Sequence, residues 1–400
     1  MNPFPLVVAE LRRHRLGASA VVALIALAVA LGVALGAQES ALRRASARAA
    51  DRFDLVVGAP GSPTQLVLTT VYLQPVALDL LPADVLIRLQ KLPGVAAIAP
   101  VAVTDSYQGY PVVGTTAEFA TDGGRIAIAA GRRFARDNEA LVGSDVALAV
   151  GDHLRPSHGA PAENVLESHE HDTAFTVVGH LARTGTPWDR AIIVPLEGVW
   201  AMHGASTTAT ASLGPPWAAD HAGPTPAIVI KPVSVAAAYA LRSSLRGNGT
   251  VAVFPAEVLT QLYAVLGNVG EVIAALSLAF DLLILAAVLL VVVAVLAARR
   301  PSLGALRALG APPAFVLATV WLQGAVLVAA GVVIGLLLGS ILALGLGSVL
   351  GSRMGIAIAA LPGWREFGLA AVLLVAGSLL AALPSLATLR MPVRRLLQES

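Results

Sequence analysis

Four long apolar runs without a charged residue constrain this sequence more than any other feature. They cover residues 18–37, 282–298, 314–350 and 367–389. A helix needs about 20 mostly apolar residues to cross a hydrocarbon core about 30 Å thick. Only 13% of the residues are charged and the mean hydropathy is +0.76, whereas roughly 25% are charged in a typical soluble domain. The sequence therefore predicts an integral membrane α-helical protein with four transmembrane helices.

The run at 314–350 is longer than one span requires. Gly345, Gly347 and Gly351 mark where regular helix is expected to stop, so we end this span near Leu344. The second span is extended outward to residue 272. The predicted order is an N-terminal segment 1–17, a first span 18–37, a large domain 38–271, a second span 272–298, a loop 299–313, a third span 314–344, a loop 345–366, a fourth span 367–389 and a C-terminal segment 390–400.

The arginines next to the spans predict the orientation. With the N-terminus inside, the short cytoplasmic segments hold nine arginines and the loop 345–366 holds two. Short cytoplasmic loops are enriched in Lys and Arg. We therefore expect both termini in the cytoplasm of a bacterial cell, the chain in the inner membrane, and residues 38–271 outside. The alternative is that the first run is a signal peptide cleaved after Ala34-Leu35-Gly36.

Residues 38–271 have the mixed composition of a folded domain. Short β-type runs alternate with turn residues and with helical stretches, which predicts an α+β extracytoplasmic domain inserted between the first two spans. The predicted strands are 54–58, 95–100, 110–114, 125–129, 173–179, 191–195 and 226–230, and the predicted helices are 82–92, 234–245 and 255–266. The helix-favouring flanks 38–52 and 255–275 are expected to form a stalk, or otherwise membrane-proximal linkers.

Charge and cysteine content exclude several classes of function. The formal net charge is only +2, so the chain lacks the basic surplus of a dedicated nucleic-acid binder. There are no cysteines, which excludes disulfides, thiolate metal ligands and a thiol nucleophile. No nucleophile and base stand at a recognisable spacing, and no catalytic residue is predicted.

The segment 298–311 reads Ala-Arg-Arg-Pro-Ser-Leu-Gly-Ala-Leu-Arg-Ala-Leu-Gly-Ala. Pro301 can open a short helix, and Gly310 followed by Pro312 can close it. Its apolar stripe consists of Leu303, Leu306 and Leu309. An amphipathic cytoplasmic helix of this kind either docks into a groove of a partner protein or lies on membrane lipid.

This segment resembles the cytoplasmic loop of the FtsX/MacB-like permeases of ABC transporters, the type VII or mechanotransmission class. The segments 54–62 and 177–195, and the order of one span, a large domain and three spans, also resemble that family. The resemblance implies a permease without catalytic activity of its own, working as a homodimer with two copies of a cytoplasmic ABC ATPase that binds ATP and Mg²⁺. It implies ATPase coupling by Arg299, Arg300, Leu303, Leu306, Arg307, Leu309 and Gly310.

Two departures from the family pattern limit this inference. Trp321-Leu322-Gln323 stands where members often carry a glutamate, so no role of a buried carboxylate is transferred. No Gly-x-x-x-x-Gly-Lys-Ser/Thr motif is present, so no fused ATPase is expected. An extracytoplasmic substrate or adaptor protein would be a further partner, and no cofactor is expected to be bound covalently.

Gly331, Gly335 and Gly339 share one face of the third predicted span. Small residues at this spacing let two helices approach closely. The face is expected to pack against another helix, either within the protomer or in a dimer.

Four of the eight histidines lie within 19 positions: His153, His158, His169 and His171. Carboxylates are interleaved with them, and imidazole with carboxylate is a ligand set of zinc. The spacing matches no named metal motif, so the segment predicts a Zn²⁺ site for capture or sensing, or otherwise a solvated loop.

The leading interpretation is a transport permease, for export, extraction or metal-linked transport across the cell envelope, driven by a separate ATPase. A metal- or ligand-sensing membrane receptor is the alternative, and a membrane-anchored hydrolase is the third. The receptor would need a cytoplasmic output domain and the hydrolase a catalytic motif, and the sequence contains neither.

Overall fold

The computed structural model describes residues 2–157, 171–204, 213–247, 249–264, 310–354 and 360–389, with four single positions between 275 and 286. The chain divides into two compact units. One is a helical unit formed by residues 1–42, 267–350 and 358–400, and the other is an α+β domain formed by residues 43–266 and 351–357.

The described helices and strands are numbered in chain order. The helices are α1 (Phe4–Arg13), α2 (Arg15–Ala50), α3 (Pro63–Tyr72), α4 (Ala83–Leu89), α5 (Ala117–Ala120), α6 (Leu196–Met202), α7 (Val235–Leu245), α8 (255–264), α9 (Pro313–Met354) and α10 (Trp364–Leu389). The strands are β1 (Leu55–Gly58), β2 (Val95–Tyr107), β3 (Tyr110–Thr115), β4 (Ile128–Gly131), β5 (Glu139–Val142), β6 (His153–Leu154), β7 (Phe175–Leu181), β8 (Ile192–Pro195), β9 (Ala227–Pro232) and β10 (Val251–Val253).

Two helices of the described part of the chain, α2 and α9, are long and apolar enough to cross a membrane. They contain the first and third predicted spans, and α10 covers the fourth. The second predicted span, 272–298, lies almost entirely outside the described residues, so the number of four spans stays a prediction.

The expected end of the third predicted helix near Leu344 is wrong. Helix α9 continues through Gly345, Gly347 and Gly351 to Met354. Glycine lowers helix stability by about 1 kcal/mol relative to alanine, but it keeps the backbone hydrogen bond that a break would lose. In apolar surroundings an unsatisfied backbone group costs several kcal/mol, so continuing the helix is the more favourable choice.

One side of α9 exposes a row of large apolar side chains. Val333, Leu337 and Ile341 are each more than half exposed, and they stand one helical turn apart. A soluble protein rarely exposes a continuous apolar stripe of this kind. The stripe is suited to contact with lipid, as expected of a membrane-spanning helix.

The α+β domain is built on one ten-stranded sheet. The strand order is β10-β1-β9-β2-β3-β8-β5-β7-β4, with β6 also paired to β7. The β3–β8 and β5–β7 pairs are parallel and the other pairs are antiparallel. Strands and helices are interspersed along the chain, which gives the α+β organisation expected from the sequence.

Both faces of the sheet are buried. On β1, Leu55 and Val57 belong to one hydrophobic core and Val56 to the other, because successive side chains of a strand point to opposite faces. The same alternation separates Ile228 from Val229 on β9. Burial on both faces explains why these strands are continuous apolar runs rather than alternating ones.

Helices cover both faces. Helices α4, α6 and α7 contribute apolar residues to the first core, while α3, α5, α8 and the end of α2 contribute to the second. Three of the covering helices begin at a hydroxyl cap: Ser62, Thr116 and Ser234 each accept a hydrogen bond from a backbone N–H in the first turn. Such caps stabilise a helix end by about 1 kcal/mol and define where it begins.

The side chain of Glu139, at the start of β5, is almost fully buried and tightly hydrogen bonded. Arg132 binds it with two N–H groups at 2.7 and 2.6 Å, and the backbone N–H of Ala135 donates to it at 2.8 Å. The Arg132 hydrogen bonds lower the pKa of Glu139 from 4.5 to about 2. The ionised carboxylate thus joins the segment 132–135 to the sheet.

We expect Glu139→Gln to destabilise the folded protein by about 2 kcal/mol at pH 7, because the amide replaces hydrogen bonds to a charged group. A pKa that is lower in the folded state gives stabilisation that is complete above the unfolded pKa near 4.5 and is lost as the pH falls toward 2. Thermal unfolding of the full chain between pH 7 and 2 tests this. The difference in unfolding temperature between wild type and Glu139→Gln should shrink below about pH 4.5. A difference that stays constant over this pH range would contradict the prediction.

Candidate functional site

Asp105 occupies an irregular position in β2. Val103 pairs with Val113 of β3 and Asp105 pairs with Val112, so Thr104 is an extra residue in the ladder. A bulge of this kind changes the direction of the neighbouring side chains. The Asp105 side chain is 0% exposed, and the Thr104 hydroxyl donates a hydrogen bond of 2.7 Å to its Oδ2.

His171 approaches the same carboxylate from the segment before β7. Its backbone N–H donates to the carbonyl of Pro156 at 3.1 Å, which fixes the chain at this point. Its Nε2 lies 3.2 Å from Oδ1 of Asp105, and its side chain is 16% exposed.

His203 follows directly after α6. Its Nδ1 lies 2.9 Å from the carbonyl oxygen of Val199. A carbonyl only accepts, so Nδ1 carries the hydrogen and a neutral ring keeps the lone pair on Nε2. That Nε2 lies 3.6 Å from Oδ2 of Asp105, which is too long for a hydrogen bond, and the side chain is 29% exposed.

Helix α6 holds His203 in place through a close backbone approach. A methyl group at Gly198 would overlap the carbonyl oxygen of Asp137. Glycine is therefore required at this point of α6. His203 is thus positioned by the packing of α6 and not by a flexible loop.

Asp105, His171 and His203 form one cluster, whose three ligand atoms all lie within 4.8 Å of one another. We call it the Asp-His-His cluster. Of the predicted metal ligands it contains His171. His153 lies on β6, where its Nδ1 is 3.0 Å from the hydroxyl of Thr176, and His158 and His169 lie outside the described residues.

Sequence reasoning missed Asp105 and His203. They stand 66 and 32 residues away from His171, and neither belongs to a recognisable motif. The only local signal was a carboxylate after the apolar run of β2. The sheet pairing and the packing of α6 bring the three residues together.

The end of α2 is embedded in the α+β domain. Ala49, Ala50 and Phe53 belong to the second hydrophobic core of the sheet. The hydroxyl of Tyr72 on α3 donates to the carbonyl of Ser46 at 3.0 Å. Burial raises the pKa of Tyr72 to about 12, so this donor keeps its proton at neutral pH.

Arg52 is buried at the same junction among three aromatic rings. Its guanidinium carbon lies 4.1 Å from the ring centre of Trp188, 5.0 Å from that of Phe119 and 5.3 Å from that of Phe53. Burial lowers the pKa of Arg52 to about 10, and the charges of Asp122 and Asp189 oppose that shift. The cation therefore stays charged at neutral pH and attracts the ring faces.

In the helical unit, the three glycines of the predicted packing face lie against α2. A methyl group would lie 2.6 Å from Cβ of Ile25 at Gly331, 2.7 Å from Cβ of Val29 at Gly335 and 2.9 Å from Cβ of Val33 at Gly339. The Gln38 amide also donates to the carbonyl of Ala343 at 2.8 Å. These contacts are made within one protomer.

The predicted ATPase-coupling residues lie outside the described residues, except for Gly310. Gly310 has a φ of 92°, a conformation that favours glycine, and it stands three residues before α9 begins. The coupling role of this segment stays a prediction.

The fold and the apolar helices define a membrane protein with a large α+β domain. The model of the MacB-like periplasmic core domain matches residues 17–247, and the model of the FtsX-like permease C-terminal domain matches residues 274–393. The chain belongs to the FtsX/MacB-like ABC permease family. No curated protein matches it.

Two solved structures are similar to part of the chain. The periplasmic region of MacB from Actinobacillus actinomycetemcomitans has a TM-score of 0.34 and 10% identity, and the match covers 54% of this chain and 95% of that one. The extracellular domain of the noncanonic ABC-type transporter YknZ from Gram-positive bacteria has a TM-score of 0.30 and 11% identity. That match covers 50% of this chain and 98% of the YknZ domain.

The glycine contacts predict the effect of enlarging one of these residues. Gly335→Leu should lower the stability of the full chain in detergent by about 1–3 kcal/mol, because the new side chain would overlap Val29 and the carbonyl of Ala26. Gly345→Leu is the matched control, since nothing lies within 4 Å of its Cβ position. Thermal unfolding of both variants tests this prediction. Equal unfolding temperatures of Gly335→Leu and Gly345→Leu would contradict close packing at Gly335.

Proposed function

We propose that the chain is the permease subunit of an ABC transporter in which a separate ATPase drives movement of the α+β domain. Membership of the permease family supports a transport role. The sequence has only two lysines, Lys91 and Lys231, and neither is followed by the serine or threonine of a phosphate-binding loop. ATP is therefore bound outside these 400 residues.

The observation that carries the proposal is the continuity of α2. It is a single helix of 36 residues from Arg15 to Ala50, which at 1.5 Å per residue is roughly 54 Å long. A span uses about 30 Å of that length. The remaining turns end in the hydrophobic core of the α+β domain, so a displacement of the membrane helix is transmitted to the sheet.

In this proposal the segment 298–311 is the contact with the ATPase. Its apolar stripe of Leu303, Leu306 and Leu309 docks into a groove of that subunit, and its arginines contact the rim. Both termini and this segment lie in the cytoplasm, and the α+β domain lies on the opposite side of the membrane. An ABC ATPase reaction closes two nucleotide-binding domains, which favours a homodimer of this chain with two ATPase copies.

Co-purification with a separate ABC ATPase subunit from the same source should give a complex with two copies of each subunit. Replacing both Leu306 and Leu309 with Asp should detach the ATPase, because two apolar anchors become charges that lose their hydration in the groove. The control is Leu80→Asp, which places the same change at an exposed leucine of the α+β domain. A double variant that still forms the complex and stimulates ATP hydrolysis would overturn the coupling assignment.

Movement of the α+β domain can be measured directly, since the chain has no native cysteine. A spin label at Arg88→Cys, an exposed position on α4, gives one label in each protomer of the homodimer. We expect the distance between the two labels, measured by pulsed electron resonance, to change when ATP binds to the ATPase. An unchanged distance would contradict domain movement.

Breaking α2 tests whether this helix transmits the movement. Arg44→Pro removes a backbone hydrogen bond and kinks the helix, whereas Arg44→Ala keeps it straight. Arg44 is exposed, so the alanine variant loses no core contact. The proline variant should retain the ATPase but lose the ATP-dependent distance change, and the alanine variant should keep both. An equal distance change in the two variants would exclude α2 as the transmitting element.

A further inference from the structure

We propose that the Asp-His-His cluster is a binding site for a divalent transition cation of the zinc class. Asp105, His171 and His203 provide one carboxylate oxygen and two imidazole nitrogens. This mixed ligand set suits Zn²⁺ and its neighbours, while Mg²⁺ and Ca²⁺ prefer oxygen ligands alone. The proposal concerns the α+β domain and does not depend on the ATPase.

The distances within the cluster are compatible with a metal site. Bonds of about 2.0–2.1 Å in a tetrahedral zinc site place neighbouring ligand atoms about 3.3 Å apart. Nε2 of His171 lies 3.2 Å from Oδ1 of Asp105, which is also a hydrogen-bond distance, and Nε2 of His203 lies 3.6 Å from Oδ2. The second distance is too long for a hydrogen bond, but a bound ion could bridge these two atoms.

The tautomer of His203 is also the one that metal binding requires. Its Nδ1–H donates to the carbonyl of Val199, which leaves Nε2 as the atom that faces Asp105. Metal-binding histidines almost always donate their second ring N–H to such an acceptor. The Thr104 hydroxyl orients the carboxylate of Asp105 in the same way.

The three ligands come from three parts of the domain: a bulge in β2, the segment before β7 and the end of α6. A bound cation would therefore link these elements and stabilise the folded state over the unfolded one. The described residues provide three ligands, and zinc sites have four, so a water or a further side chain completes the coordination.

The test uses the full chain in detergent, without a histidine tag and after chelator treatment, titrated with Zn²⁺ alone. One Zn²⁺ per chain should bind with micromolar or tighter affinity and raise the unfolding temperature. His171→Ala, His203→Ala and Asp105→Asn should each weaken the affinity by about 100-fold or more. Loss of a residue that only hydrogen-bonds to a metal ligand costs about 10–100-fold, so a larger loss indicates direct coordination. No stoichiometric binding by the wild type would overturn the proposal.

Two histidine variants are matched controls. His153→Ala removes an imidazole of β6, and His221→Ala removes one of a surface pair with Asp220 at 3.4 Å. Both should bind zinc as the wild type does. A loss in His153→Ala equal to that in His171→Ala, or full affinity in His203→Ala, would place the ion elsewhere and refute the proposed site.

A second measurement needs no variant. X-ray absorption at the zinc edge of the wild-type complex should show nitrogen and oxygen neighbours near 2.0–2.1 Å and the outer scattering of two imidazole rings. A spectrum with no imidazole scattering, or with that of four rings, would overturn the proposed set of ligands.

Discussion

The packing of the end of α2 into the second hydrophobic core joins the long apolar helix to the α+β domain. The second face of the sheet presents Val56, Val229 and their neighbours, and these side chains are buried only because helices cover them. Ala49 and Ala50 are small enough to bring the last turn of α2 close to this layer. Without that turn, apolar surface of the second core would meet water, at about 25 cal/mol for each Å² exposed.

Arg52 lies at this contact although a buried cation is normally unfavourable. Its desolvation is visible in the lowered pKa of about 10. Each desolvated contact of a cation with an aromatic face recovers up to about 2 kcal/mol, and three rings surround the guanidinium. The aromatic rings and the nearby acidic charges reduce the cost of this burial, although the pKa of Arg52 stays below its usual value.

The sequence predicted the elements whose signal is local. All seven predicted strands are present, because each is an apolar run bounded by turn residues, and the α+β class follows from them. Three of the described strands were missed, and all are short: β5 has four residues, β10 has three and β6 has two. Pairing with neighbouring strands of the sheet makes them strands, and no local pattern reports such pairing.

The same distinction applies to the site. His171 was found because histidines are concentrated around it, which is a property of the local sequence. Asp105 and His203 join it through a bulge in β2 and through the packing of α6 at Gly198, and these depend on tertiary contacts. Likewise, the glycine spacing on α9 predicted a packing face, but only the structure identifies α2 as the helix that lies against it.

The two parts of α2 pack in physically different ways, and this difference bears on how the helix can move. Around Ile25 and Val29 it meets α9 through close approach at glycines, a contact that lipid can replace without exposing apolar surface to water. Around Ala50 and Phe53 it packs side chains against a sheet, and separation there would expose them to water. Rearrangement is therefore easier at the glycine contacts than at the sheet.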